Sequence, residues 1–113
     1  MNMNSNAFDL YQQLAARTRN KDITVTEEFA NYALGLYGEA GEVGDLIKKR
    51  IFHGHQLDVD DLMKELGDVL WYLSNVATLA GIDLSEVATK NIDKLNIRYK
   101  DGFSHEASVN REE

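Results

Sequence analysis

The chain has 113 residues, with no cysteine and no proline, and 19 acidic against 12 basic side chains give it a formal net charge of -7. That length suits one domain spanning residues 1–113, and the lack of cysteine excludes disulfides, thiolate metal sites and a cysteine nucleophile. The acidic excess repels the phosphate backbone of DNA or RNA, so a nucleic acid polymer is not an expected partner.

The opening MNMNSNAFDL carries neither a basic region nor a long apolar run, and nothing later has the length of a membrane-spanning segment. A soluble, cytoplasmic protein with no membrane partner is expected. Apolar residues recur at helical spacing throughout, which predicts an all-α, compact four-helix bundle-like fold. The helical core covers about residues 7–104, with residues 1–6 and 105–113 polar and mobile.

The first helix covers about Ala7 to Arg17, with Phe8, Tyr11, Leu14 and Ala15 on one face. Thr24 and Glu27 have capping-box spacing, and the apolar period then runs from Phe29 to about Ile51 as a long second helix. After the FHGHQLD loop, Asp58 caps a third helix that ends near Ala80, with Gly81 as its stop. Asp83 and Glu86 repeat the capping box and open a fourth helix that reaches about Lys100, before an Asp101-Gly102 turn.

Two segments carry the chemistry: Glu39-Ala-Gly-Glu42 on the second helix and Glu65-Leu-Gly-Asp68 on the third. Residues three apart share a helical face, so each pair can reach a common ion, although either pair alone also reads as a solvated acidic surface. On the third helix the apolar stripe is Leu62, Leu66, Val69, Leu70, Leu73 and Val76, and Glu65 and Asp68 fall roughly 80° and 140° to one side of it. On the second it is Leu36, Ala40, Val43 and Ile47, with Glu39 and Glu42 displaced roughly 70° and 130° in the same sense. Antiparallel packing in one hand brings the four acids together across a groove, and in the other hand separates them. Converging, they cannot all stay ionised without a cation, and oxygen-only ligation suits Mg²⁺ or Mn²⁺ rather than zinc.

The four glycines of GLYGEAGEVG, at 35, 38, 41 and 44, interrupt the same helix at a cost of about 1 kcal/mol each. They flank the acidic face, which leaves room for a cation and a triphosphate, and at Gly35 and Gly44 for close approach of another helix. Tyr72 and Asn75 continue the Glu65-Asp68 stripe and are placed beside the ion, to stack on a base and to hydrogen-bond it. The alternative for Tyr72 is packing at the core edge. Trp71 points away from its helix's own stripe, which suggests a subunit interface or, as the alternative, stacking on a base. His53 and His55 have no third nitrogen ligand nearby and read as a polar loop or a loop contact to nucleotide.

The order E39AGE42, 22 intervening residues, E65LGD68, then N91IDKLNIRY99 and DGFS resembles the MazG-like, all-α nucleoside triphosphate pyrophosphohydrolases over roughly residues 27–104. Lys100 departs from the proline expected after Arg-Tyr. The resemblance implies cleavage between the α and β phosphates of a nucleoside triphosphate, Mg²⁺ held by Glu39, Glu42, Glu65 and Asp68, and β- and γ-phosphate contacts from Lys94 and Arg98, which share one polar helical stripe with the substrate-binding candidate Asn91; the alternative for that stripe is a solvated face paired with acids such as Asp93. It also implies a homodimer or homotetramer. Two other readings stay open: a phosphoribosyl-ATP pyrophosphatase within the same superfamily, and a non-catalytic helical interaction module. A di-iron bundle is disfavoured because no Glu-x-x-His occurs.

Overall fold

The computed structural model describes residues 5–111. Five helices follow one another: α1 (Ser5–Ala16), α2 (Val25–Phe52), α3 (Val59–Leu79), α4 (Leu84–Arg98) and α5 (His105–Val109), with no strand among the described residues. None of these helices is long and apolar enough to cross a membrane. The all-α architecture expected from the sequence is the one observed.

The helix starts follow from local chemistry. At α2 the Glu27 N–H donates to Thr24 Oγ1 at 3.1 Å and the Thr24 N–H to Glu27 Oε1 at 3.0 Å, a reciprocal cap that satisfies two otherwise orphaned donors. At α3 the Asp58 carboxylate accepts from the Asp60 and Asp61 N–H groups at 2.9 and 3.3 Å. Gly81, at φ +72°, provides the left-handed residue that ends α3.

Within the segment expected to be mobile, Ser104 Oγ accepts from the Ala107 N–H at 3.0 Å and starts one further helical turn. Of the residues expected to be mobile, 1–4 and 112–113 lie outside the described ones.

A second correction concerns the apolar stripes. Leu66, Leu70 and Ile47 are 49%, 39% and 37% exposed, and Ala40 is exposed as well. Leu36 and Val43 of the expected α2 stripe are partly covered, and the covered side of that helix also takes in Glu28, Phe29, Tyr32, Gly35, Glu39 and Leu46. Within one short chain α3 occupies a single side of α2, and the side it occupies is the one carrying Glu39. The fully buried apolar side chains among the described residues are only Ala15, Tyr32, Ala77 and Leu84.

Helix α1 crosses α3 and reaches the start of α4, where one side chain joins the pieces. Buried Gln12 donates to Thr78 Oγ1 at 3.2 Å and to the Ile82 carbonyl at 2.9 Å, and its Oε1 accepts from the Leu84 N–H at 2.7 Å. Next to it, Asp9 accepts from both the N–H and the hydroxyl of Ser85 at 3.2 Å. The first turn of α4 is thus capped from α1. Replacing Gln12 by Ala strands the buried Leu84 N–H, so Gln12→Ala is expected to lower unfolding stability by about 2–3 kcal/mol in a denaturant titration.

Candidate metal centre

Where α2 and α3 lie antiparallel, Glu39, Glu65 and Asp68 each present a carboxylate oxygen, and these oxygens lie within 4.8 Å of one another. Of the two hands left open by the sequence, the structure has the one that brings three of the four acids together. Glu39 and Glu65 are half-buried and Asp68 is exposed, so the cluster opens to solvent on its Asp68 side.

The electrostatics are those of crowded anions. Glu39 is pushed up to about 7, first by its hydrogen-bond contact with Glu65, then by burial, and then by the charges of Asp68, Glu65 and Glu42. Glu65 Oε2 is buried with no hydrogen-bond partner among the described residues. An all-oxygen donor set with one orphaned buried oxygen and one acid half-protonated near neutrality fits a hard divalent cation, which would satisfy both. Glu42 stands one turn beyond Glu39, exposed and outside the trio, though its charge is among those acting on Glu39.

The MazG nucleotide pyrophosphohydrolase domain matches residues 27–103, which include every acid of this cluster. The chain belongs to the MazG nucleotide pyrophosphohydrolase family. It is also similar to the Gene 37 protein of Mycobacterium phage L5, 34% identical over 111 residues that cover 91% of this chain and 97% of that one. No solved structure matches it.

The remaining residues of this MazG domain distribute as follows. Tyr72 is half-buried, with its ring against Gly35. Asn75 lies deeper than its place on the acidic stripe suggests. It is fully buried, its Nδ2 donating to the Trp71 and Ala15 carbonyls at 3.2 and 3.4 Å, because α1 covers that side of α3. Trp71 is half-buried rather than exposed: its indole N–H donates to Thr18 Oγ1 at 2.8 Å and its ring meets Tyr32 and Tyr72 edge-on. Asn91, Lys94 and Arg98 lie on α4, which packs on α1 and α3. Asn91 and Lys94 line one groove with Ile82, Glu86 and Val87, whereas Arg98 lines another with Tyr99, Asp101 and Ser104. His53 and His55 are exposed and belong to no metal-ligand group among the described residues.

Sequence reasoning missed Tyr11. Burial and then the charge of Asp68 raise its phenol, so Tyr11 of α1 lies within electrostatic reach of that acid. No local pattern announces this, since it depends on how α1 crosses α3.

Because folding raises Glu39 from its usual value of 4.5 to about 7, the folded state favours its protonated form. Below the usual value both states are protonated and nothing is lost. As pH rises through about 7 the folded protein bears a repelling charge and loses stability. The cation-free protein is therefore expected to show a falling Tm between pH 5 and pH 8, measured by thermal denaturation, and Glu39→Gln to flatten that fall.

Proposed function

We propose that the protein is a Mg²⁺-dependent nucleoside triphosphate pyrophosphohydrolase of the cytoplasm, cleaving ribo- or deoxyribonucleoside triphosphates between the α and β phosphates. The observation that carries this reading is the three-carboxylate cluster at the α2–α3 crossing, inside the region matched by the MazG domain. A solvated acidic surface, as an interaction module would carry, has no reason to hold half-buried carboxylates close enough to push Glu39 to about 7.

Glu39, Glu65 and Asp68 would hold Mg²⁺, or Mn²⁺ in its place, with Glu42 completing the set from the next turn. The bound cation supplies charge neutralisation and orientation of the phosphates and acidifies the attacking water. Attack of water on the α-phosphorus breaks the bond to the bridging oxygen, and nucleoside monophosphate and pyrophosphate leave. A carboxylate of the cluster takes the proton of the water. Lys94 and Arg98 are the proposed contacts to the β and γ phosphates, with Asn91 beside them, and Tyr72 borders the nucleoside.

We further propose that the active form is a homodimer or homotetramer. The chain exposes 8191 Å² and has a radius of gyration of 16.9 Å. A compact monomer of this size would expose about 6,300 Å² and have a radius near 13 Å. Part of the exposed surface is apolar and regularly spaced. On α2 the exposed positions Ala33, Tyr37, Ala40, Gly44, Ile47 and Ile51 follow alternating steps of four and three, and on α3 so do Val59, Met63, Leu66 and Leu70. Such seams match the spacing that packs one helix against another, and a second copy offers the same two seams in return.

A pyrophosphate-release screen across ribo-, deoxyribo- and modified nucleoside triphosphates and phosphoribosyl-ATP, with Mg²⁺ and Mn²⁺ compared, tests the activity. Turnover of phosphoribosyl-ATP alone would replace the substrate reading. Asp68→Ala is expected to lower kcat/KM by about 100-fold or more in a still-folded protein. Lys94→Ala and Arg98→Ala are each expected to lower it by about 10- to 100-fold while leaving Mn²⁺ affinity unchanged. Leu66→Glu is expected to shift the light-scattering mass to that of one chain.

A further inference from the structure

Three aromatic side chains fill the space between α2 and α3 one turn away from the carboxylates. Tyr32 is 1% exposed, and its ring centroid lies 5.2 Å from Trp71 and 6.3 Å from Tyr72, while Trp71 and Tyr72 meet edge-on at 5.1 Å. The group is fastened from the segment that joins α1 to α2. The Tyr32 hydroxyl donates to Glu28 Oε2 at 2.9 Å and accepts from the Asn20 N–H at 3.1 Å. Arg19 donates to both oxygens of buried Glu28 at 2.9 and 3.0 Å, and its guanidinium holds that carboxyl below its ordinary range. Trp71 is tied to Thr18 on the same segment. Each ring is thus braced by the next.

The Tyr72 ring lies against the backbone of Gly35. A Cβ built there would meet Cδ1, Cε1 and Cζ of Tyr72, all inside the 3.0 Å that real Cβ contacts keep. At Gly38, Gly41 and Gly44 the same construction finds no atom within 4 Å, so among the described residues only Gly35 of the four is required by a neighbour. Gly35 precedes Glu39 by one turn on α2, and Tyr72 follows Asp68 by one turn on α3. In an antiparallel pair these turns are adjacent, so the separation of the helices at Gly35 and Tyr72 governs their separation at the acids.

We infer that Gly35 and Tyr72 form a spacer that sets the α2–α3 distance at the carboxylate trio, which makes Gly35 a positioning residue for cation affinity. This rests on the cation reading under Proposed function. A methyl group at position 35 and the Tyr72 ring must separate to the 3.4–4 Å of ordinary contact, and because that ring is packed against Trp71 and Tyr32, part of the distance falls on the separation of the helices. Ligand sites tolerate displacements of only about 0.5 Å.

The test is a titration of the full chain with Mn²⁺ alone, without nucleotide, reading free Mn²⁺ by electron paramagnetic resonance and helix content by circular dichroism. Gly35→Ala is expected to raise the Mn²⁺ Kd about tenfold or more, as losses of supporting groups around metal ligands do. In a Tyr72→Ala background, where no ring stands in the way, adding Gly35→Ala is expected to change the Kd no further. Wild-type affinity in Gly35→Ala, or an equal loss in the Tyr72→Ala background, would overturn the spacer while leaving the cation site standing. Failure of the wild-type chain to bind Mn²⁺ would instead overturn the cation reading and the spacer with it.

Discussion

Mutual repulsion of carboxylates is the constraint on which the rest of this structure turns. Glu39, Glu65 and Asp68 stand within 4.8 Å of one another on two helices of a chain whose formal charge is already -7. Left to themselves these groups would part, so packing elsewhere must hold them in place, and a proton on Glu39 relieves the strain near neutral pH. The packing is found one turn away, where Tyr32, Trp71 and Tyr72 fill the gap between α2 and α3 and where glycine at 35 lets the ring of Tyr72 lie on bare backbone. The Arg19 and Glu28 ion pair and the Trp71 to Thr18 hydrogen bond brace that group from outside the helix pair.

Turning the acidic side of α2 toward α3 has a consequence for the core. The apolar side of each helix is left facing away, and Tyr37, Ile51, Val59, Met63 and Leu66 are exposed. Gln12 and Asp9 compensate at the other end, where α1 supplies hydrogen-bond acceptors to the first turn of α4 and holds the shorter helices to α3. Under the self-association proposed above, a second copy covers the outer seams. The inner face of the α2–α3 pair then carries the acids and their spacer, and the outer face makes apolar contact with the other copy.

Much of this was legible in the sequence because it is local. The caps at Thr24 and Asp58, the stop at Gly81 and the two acid pairs depend on residues three or four apart, and helical spacing reports such relations directly. What escaped depends on how distant segments meet. Trp71 reads as an outlier on its own helix, yet it binds Thr18, 53 positions away. Asn75 continues the acidic stripe on a helical wheel but lies under α1, and Tyr11 looks like one more apolar-face residue until α1 is placed within electrostatic reach of Asp68. The stripes of α2 and α3 were visible, but which part of each would be covered was not, since periodicity names a face without naming its partner. The one-turn α5 was missed because its signal is a lone serine cap in a polar segment.

The most direct measurement is the anomalous scattering of Mn²⁺ in a crystal of the wild-type chain grown with a non-hydrolysable nucleoside triphosphate. A Mn²⁺ peak bounded by the carboxylates of Glu39, Glu65 and Asp68, with phosphate density against it, is the predicted result. A peak elsewhere, with the three carboxylates unliganded and the triphosphate bound away from them, would contradict the account.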